Sequence, residues 1–187
     1  DSTISPMGGR LLKRWIALPL KNKDKITSRH EVVSYLLDQP IVLDKIQLNI
    51  KRIGDLERLI SKVATGKVSP KEVIHLKNSL EAIVPIKLKA QQANNESIKI
   101  IGEQLQDCEL LRDKIKATLN EEAPVMIQKG NAIAEGVSEE LDELRRIAKG
   151  GKDYLNSMLE RETERTGISS LKIASNNVFG YYIEVRN

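Results

Sequence analysis

Aromatic side chains are nearly absent from this sequence: Phe, Trp and Tyr together make up 3% of its 187 residues. A core without them is built from Leu, Ile, Val and Ala, the side chains of long helices packed lengthwise. Cysteine occurs once, as Cys108. That excludes an internal disulfide and points to a reducing, cytoplasmic setting, in which the Asn95-Glu96-Ser97 sequon is accidental. Histidine occurs twice, as His30 and His75, 45 residues apart. His30-Glu31 begins like a zinc-protease helix, but Ser34 stands where the second His is needed, so no metal site is expected. Both histidines read as helix-surface residues. No apolar run approaches the ~20 residues of a membrane span, and no charged-then-apolar leader opens the chain. Long runs of one charge are missing too: Lys and Arg alternate with Asp and Glu, and no dense basic stripe stands out along the sequence.

What is present is a charged, apolar-rich chain: 30% Asp, Glu, Lys and Arg, 40% hydrophobic residues and a net charge of +4. The pI near 9.1 permits contact with phosphate backbones without demonstrating it. The spacing of apolar residues predicts helices over 6–18, closed by Pro19, over 24–38, and over 41–51 and 55–64, separated at Gly54. Ser69-Pro70-Lys71-Glu72 combines an N-cap, a proline at the first helical position and a reciprocal Glu. It opens a helix reaching about Ala93, with Pro85 a kink candidate. Asn94-Asn95 breaks that helix, and two more follow over 96–106 and 109–119. Residues 124–137 read as a small hairpin or turn about Lys129-Gly130-Asn131. Ser138 then begins the longest helical pattern, ending at Gly167, with Leu141, Leu144, Ile147, Tyr154, Leu155, Met158 and Leu159 at spacings of three and four. Leu171–Ser175 and Val178–Val185 read as two strands around Asn176-Asn177, residues that tolerate positive φ. The fold class is therefore mainly α: a multi-helical core, a long outgoing helix and a short C-terminal β-hairpin element.

Catalytic chemistry finds no support. A P-loop needs Gly five residues before Gly-Lys and Ser or Thr after it. Gly66-Lys67 has Ser61 and Val68 in those places, and Gly151-Lys152 has Arg146 and Asp153; helix caps or turns explain both glycines. Cys108 lacks a nearby base. Glu160, Glu162 and Glu164 alternate with Arg161 and Arg165, a solvated, self-paired helix face. No catalytic, cofactor-binding or metal residue is assigned. Tyr181 and Tyr182 offer stacking surfaces for bases, but adjacent strand residues more often divide between core and solvent. Lys172 and Arg186 are weak candidates for contact with a DNA backbone. Gly150-Gly151, inside the long helix, reads either as a hinge or as a site of close packing against a neighbouring helix.

Three stretches go further. TISPMGGRLLKRWIALPL at the start resembles the motif that opens the core domain of the MutS family of DNA mismatch-repair proteins. IKRIGDLERLIS at 50–61 resembles that family's Gly-Asp-Leu-Glu-Arg segment. ERTGISSLKIASNNVFGYYIEVRN at the end resembles its Gly-Ile-x-x-Leu-Lys and Phe-Gly-Tyr-Tyr-Ile-Glu-Val passage, with Ala174-Ser175-Asn176 in place of the more usual Gly-Phe/Tyr-Asn. EELDELR at 139–145 heads the long helix as in the family. The resemblance implies a core and lever segment over 1–168 and the first strands of a truncated β-rich clamp over 169–187. It implies a parent protein that dimerises with a second copy, embraces mismatched double-stranded DNA and hydrolyses ATP with Mg²⁺ in another domain. This piece would perform no chemistry and, alone, would bind DNA at most weakly, salt-sensitively and without regard to mismatches. The severed strands would leave an edge prone to association. The other reading is a stand-alone helical scaffold for protein partners, marked by an ordered surface groove and a native stop near Asn187; a hydrolase would require convergent carboxylates.

Overall fold

A computed structural model describes residues 2–178 and 180–185. Eight α-helices lie among them: α1 Pro6–Ala17, α2 Lys23–Asp38, α3 Pro40–Ile50, α4 Leu56–Ala64, α5 Pro70–Gln91, α6 Glu96–Gln104, α7 Glu109–Thr118 and α8 Glu139–Thr166. An antiparallel pair follows, β1 Leu171–Asn176 and β2 Gly180–Val185. The mainly helical class with a C-terminal hairpin is thus the observed one. The chain divides into two compact units, one up to Ala134 and one from Glu135.

Short polar side chains set most helix starts. Ser5, Asn22, Asp55, Asn95 and Ser138 each accept a hydrogen bond from a backbone N–H three residues on. Ser69 and Glu72 form the expected reciprocal capping box, and α5 continues through Pro85 as helix. The exceptions are α3, which follows Gln39 with Pro40 at its first position and no side-chain cap, and α7. The N-cap of α7, Cys108, sits in the left-handed region at φ 48° and makes no side-chain cap.

In the first unit, α5 forms the axis, with three buried clusters along its length. Ile74 packs with Ile115 of α7 and Ala123. Leu76, Leu80 and Ile83 meet Ile53, Leu56, Leu59 and Leu105. Ala90 packs with Ala93 and Ile98, against Val32, Tyr35 and Leu36 of α2. The amphipathic face expected of α1 is only partly covered: Trp15 is 40% and Ile16 73% exposed.

Two polar contacts tie distant motifs together. The Arg10 guanidinium donates to both Asp55 carboxylate oxygens at 2.9 and 2.7 Å and to Glu57 at 2.7 Å, joining the opening motif to Gly-Asp-Leu-Glu-Arg. Ser79, 2% exposed, accepts from the Gly54 N–H at 3.0 Å and donates to the His75 carbonyl at 2.8 Å. Ser79→Ala strands the Gly54 donor and is expected to cost about 1 kcal/mol, measured as a shift in the urea midpoint with unchanged slope. An unchanged midpoint contradicts this role.

Acid stability follows from the same kind of contact. Hydrogen bonds from Lys62 and from Ser69 pull the Glu72 carboxyl from its ordinary 4.5 down to about 2. The Arg10 guanidinium likewise holds Asp55 below the usual carboxylate range. A depressed carboxyl binds its proton more readily when unfolded, so its contribution is complete above about pH 4.5 and is lost as pH falls towards 2. Glu72→Gln should therefore flatten the fall in stability over that window, read by far-ultraviolet circular dichroism. High salt weakens the effect, because these groups face solvent.

Of the small hairpin or turn expected about Lys129-Gly130-Asn131, the turn is what forms. Ile127–Lys129 is a single 3-10 turn, and Gly130 and Asn131 both take positive φ. Ile133 bridges instead to Leu119, framed by Asn120 N–H to Ala132 carbonyl at 3.0 Å and Ala134 N–H to Thr118 carbonyl at 2.9 Å. The chain leaving α7 offers an open backbone edge, and pairing there buries Ala123 and Ala132 while Val125, Met126 and Ile127 stay exposed.

In the second unit, α8 has 28 residues, so its axis is about 42 Å long. Glu139, Glu140 and Asp142 in its first turn complement the helix dipole, and Gly167, at φ 68°, ends it with an N–H bond to Thr163. The hairpin register runs from Leu171↔Val185 to Asn176↔Gly180. Here the positive φ belongs to Gly180, not to the asparagines; Asn176 instead accepts from the Val178 N–H at 3.0 Å.

Candidate lever and nucleic-acid interface

The long helix and its hairpin contain Gly150, Gly151 and Lys172, singled out for a mechanical or DNA-contacting role. Gly150 and Gly151 lie within continuous α8. A Cβ built on either meets nothing within 4 Å among the described residues. Two adjacent glycines in a solvated helix weaken it by about 1 kcal/mol each relative to alanine. Gly151 sits on the apolar side, where α8 and the hairpin enclose a cavity of about 620 Å³ lined by Ile147, Leu155, Ile173 and Tyr181 among others.

The strand residues divide as alternation requires. Tyr181 lines the α8 cavity and lies opposite Ser175, while Tyr182 projects to the other face opposite Ala174. Tyr181 is nevertheless 69% exposed against 36% for Tyr182. Lys172 is exposed on the Tyr182 face, directly across from Glu184. A carboxylate in that position offsets its charge towards a phosphate. Arg186 lies outside the described residues.

The two Gly-Lys pairs differ in conformation. Gly66, at φ 66°, closes α4, with its N–H and that of Lys67 bonded to the carbonyls of Val63 and Lys62. Gly151-Lys152 is no cap or turn, contrary to expectation; it lies within the run of α8, whose N–H groups are committed to the helix ladder. No grouping of metal-ligating side chains occurs among the described residues. His30 and His75 are exposed helical residues, as expected. At the end of α8, Glu162 takes Arg165 at 2.8 Å and Arg161 at 3.8 Å, so the acidic run there is partly self-paired. No helix of the described residues is long and apolar enough to cross a membrane.

Sequence reading missed one feature of α8. Between its acidic ends, residues 145–152 hold Arg145, Arg146, Lys149 and Lys152 and no acid. At 100° per residue these four fall within an arc of about 120°. Along the chain they look interspersed; the helix gathers them. Arg145 pairs with Asp142 at 2.9 Å and Arg146 with Glu143, whereas Lys149 and Lys152 make no ion pair among the described residues.

A family model described as MutS domain III matches residues 1–178. The DNA mismatch repair protein MutS of Flavobacterium johnsoniae is 65% identical over all 187 residues, which cover 22% of that protein. The proteins of the same name from Bacteroides thetaiotaomicron and Porphyromonas gingivalis are 56% and 46% identical over the whole chain, covering 22% and 21% of their lengths. The chain therefore spans about a fifth of the length of these curated relatives. Matched over nearly all of its length, it belongs to the MutS domain III family.

Proposed function

We propose that this chain is the core and lever segment of a DNA mismatch-repair ATPase. It links the ATPase and mismatch-reading parts to a clamp that embraces DNA, and it performs no chemistry itself. Residues 1–168 form the core and lever, and residues from 169 begin the clamp. This division by role differs from the division by packing at Ala134, because the lever helix packs with the clamp hairpin. The longer protein acts in the cytoplasm on mismatched duplex DNA, as a dimer with a second copy. It uses ATP and Mg²⁺ at a site these residues do not supply, and Lys172 and Arg186 are the candidates for contact with the DNA backbone.

The observation that carries the reading is α8: a 28-residue helix, exposed along most of its length, with the hairpin beside its middle and no atom within 4 Å of a Cβ built on either glycine of the pair. Stiff segments over 139–149 and 152–166, joined at Gly150-Gly151, pass on a rotation and bend at one place. Coupling of this kind requires an element with two states biased by both DNA and nucleotide. The test is Gly150→Ala with Gly151→Ala in the full-length protein. ATP-dependent release from mismatched DNA is expected to change several-fold, and unaltered release removes the hinge.

A further inference from the structure

We propose that the basic stripe of α8, centred on Lys149 and Lys152, is a contact surface for the sugar–phosphate backbone of duplex DNA. This deepens the lever reading by giving the lever a DNA contact of its own, apart from the clamp.

Three observations carry it. Lys149 and Lys152 are exposed, lie one helical turn apart and face solvent without an ion pair among the described residues. Arg145 and Arg146 extend the same face by one turn, and their pairing with Asp142 and Glu143 fixes their orientation while taking up their charge. Asp153, Glu160 and Glu164 follow on this arc, and none of them makes an ion pair with Lys149 or Lys152 among the described residues. Ile147 and Leu155 meet the hairpin on the apolar side; Lys152 stands at the edge of the cavity they line, and Lys149 lies away from it.

Spacing favours a phosphate lattice. The stripe from Arg145 to Lys152 rises about 10 Å along the helix. Each strand of a duplex carries a charge every ~3.4 Å of axis, so flexible ammonium groups along that length reach two or three phosphates. Lysines act as point charges and read no base edges, so the contact is indifferent to sequence and to mismatches.

The experiment is a fluorescence-anisotropy titration of the 187-residue chain with a labelled 30-base-pair duplex, matched or with one mismatch, from 20 to 200 mM salt. Wild type is compared with Lys149→Gln/Lys152→Gln and with Lys172→Gln, each checked for helicity. The double variant is expected to lose more than about tenfold in affinity at low salt, and its log–log salt slope should fall by about 2, the two phosphate contacts removed. Matched and mismatched duplexes should bind alike. Equal binding by the double variant, loss confined to Lys172→Gln, or no binding by wild type at 20 mM salt overturns the proposal. So does displacement by poly-L-glutamate as efficient as by DNA at equal charge, which would make the stripe a surface for acidic proteins. Each of these results leaves the lever reading standing, since that is judged by release from mismatched DNA in the glycine variants, whose substitutions leave the stripe intact.

Discussion

Gly102→Ala should lower the melting temperature of the helical unit by roughly 4–8 °C, corresponding to about 2 kcal/mol. Gly102 is a buried residue of α6 at its crossing with α5. A Cβ there would stand 2.8 Å from the Ala90 Cβ, 3.0 Å from the Gln91 nitrogen and 3.2 Å from the Ala90 carbonyl carbon. Two of these three neighbours are backbone, so no side chain can rotate away and α6 must shift. A shift opens the cluster of Ala90, Ala93 and Ile98 that joins α5, α6 and α2. Alanine's better helix propensity recovers about 1 kcal/mol, already included in the net figure. Thermal melts followed at 222 nm decide the matter. A melting temperature equal to that of the wild type would mean that α6 is not held against α5 as the structure has it.

The same chemical change carries the opposite sign in α8. Gly150→Ala and Gly151→Ala together should stabilise the middle of that helix by about 2 kcal/mol, because both positions are helical, exposed and free of neighbours. Amide hydrogen exchange at 148–155 is the direct reading, with protection expected to rise about thirtyfold. Gly102 and the α8 pair thus form an internal control: one glycine is required by contact, two by no contact among the described residues. Unchanged exchange would show that the pair does not limit the stiffness of α8, and the lever would then be one rod rather than two segments.

Helix starts were legible because they are local. Ser69-Pro70-Lys71-Glu72 carries its capping box within four residues, and Ser138 its cap within three. The break at Gly54 was legible for the same reason. What holds that glycine was not, since Ser79 lies 25 residues away and only packing brings its hydroxyl to the Gly54 N–H. Arg10 and Asp55, 45 residues apart, were seen as parts of two motifs and not as a pair. The loop after α7 was legible as a turn, because Lys129-Gly130-Asn131 has turn chemistry, but the partner of Ile133 was not: it is Leu119, on the far side of the turn. In the hairpin the strands and the opposed tyrosines were readable from alternation, but Gly180 rather than an asparagine supplies the positive φ. The stripe on α8 was hidden by reading charge along the chain, where Arg145 to Lys152 are separated by Ile147, Ala148 and the glycines. Only the helical period shows them as neighbours.

The central claim is that α8 relays motion by bending at Gly150-Gly151. The most direct measurement is a spin-label distance across the pair, between cysteines introduced at Glu140 and Arg161, with the exposed Cys108 changed to serine. In this chain the account predicts one narrow distribution near 32 Å, the axial rise of 21 residues. In the full-length protein on mismatched DNA, addition of ATP should add a shorter population, and the double alanine variant should lack it. A single distribution that ATP leaves unchanged in the full-length protein would contradict the account.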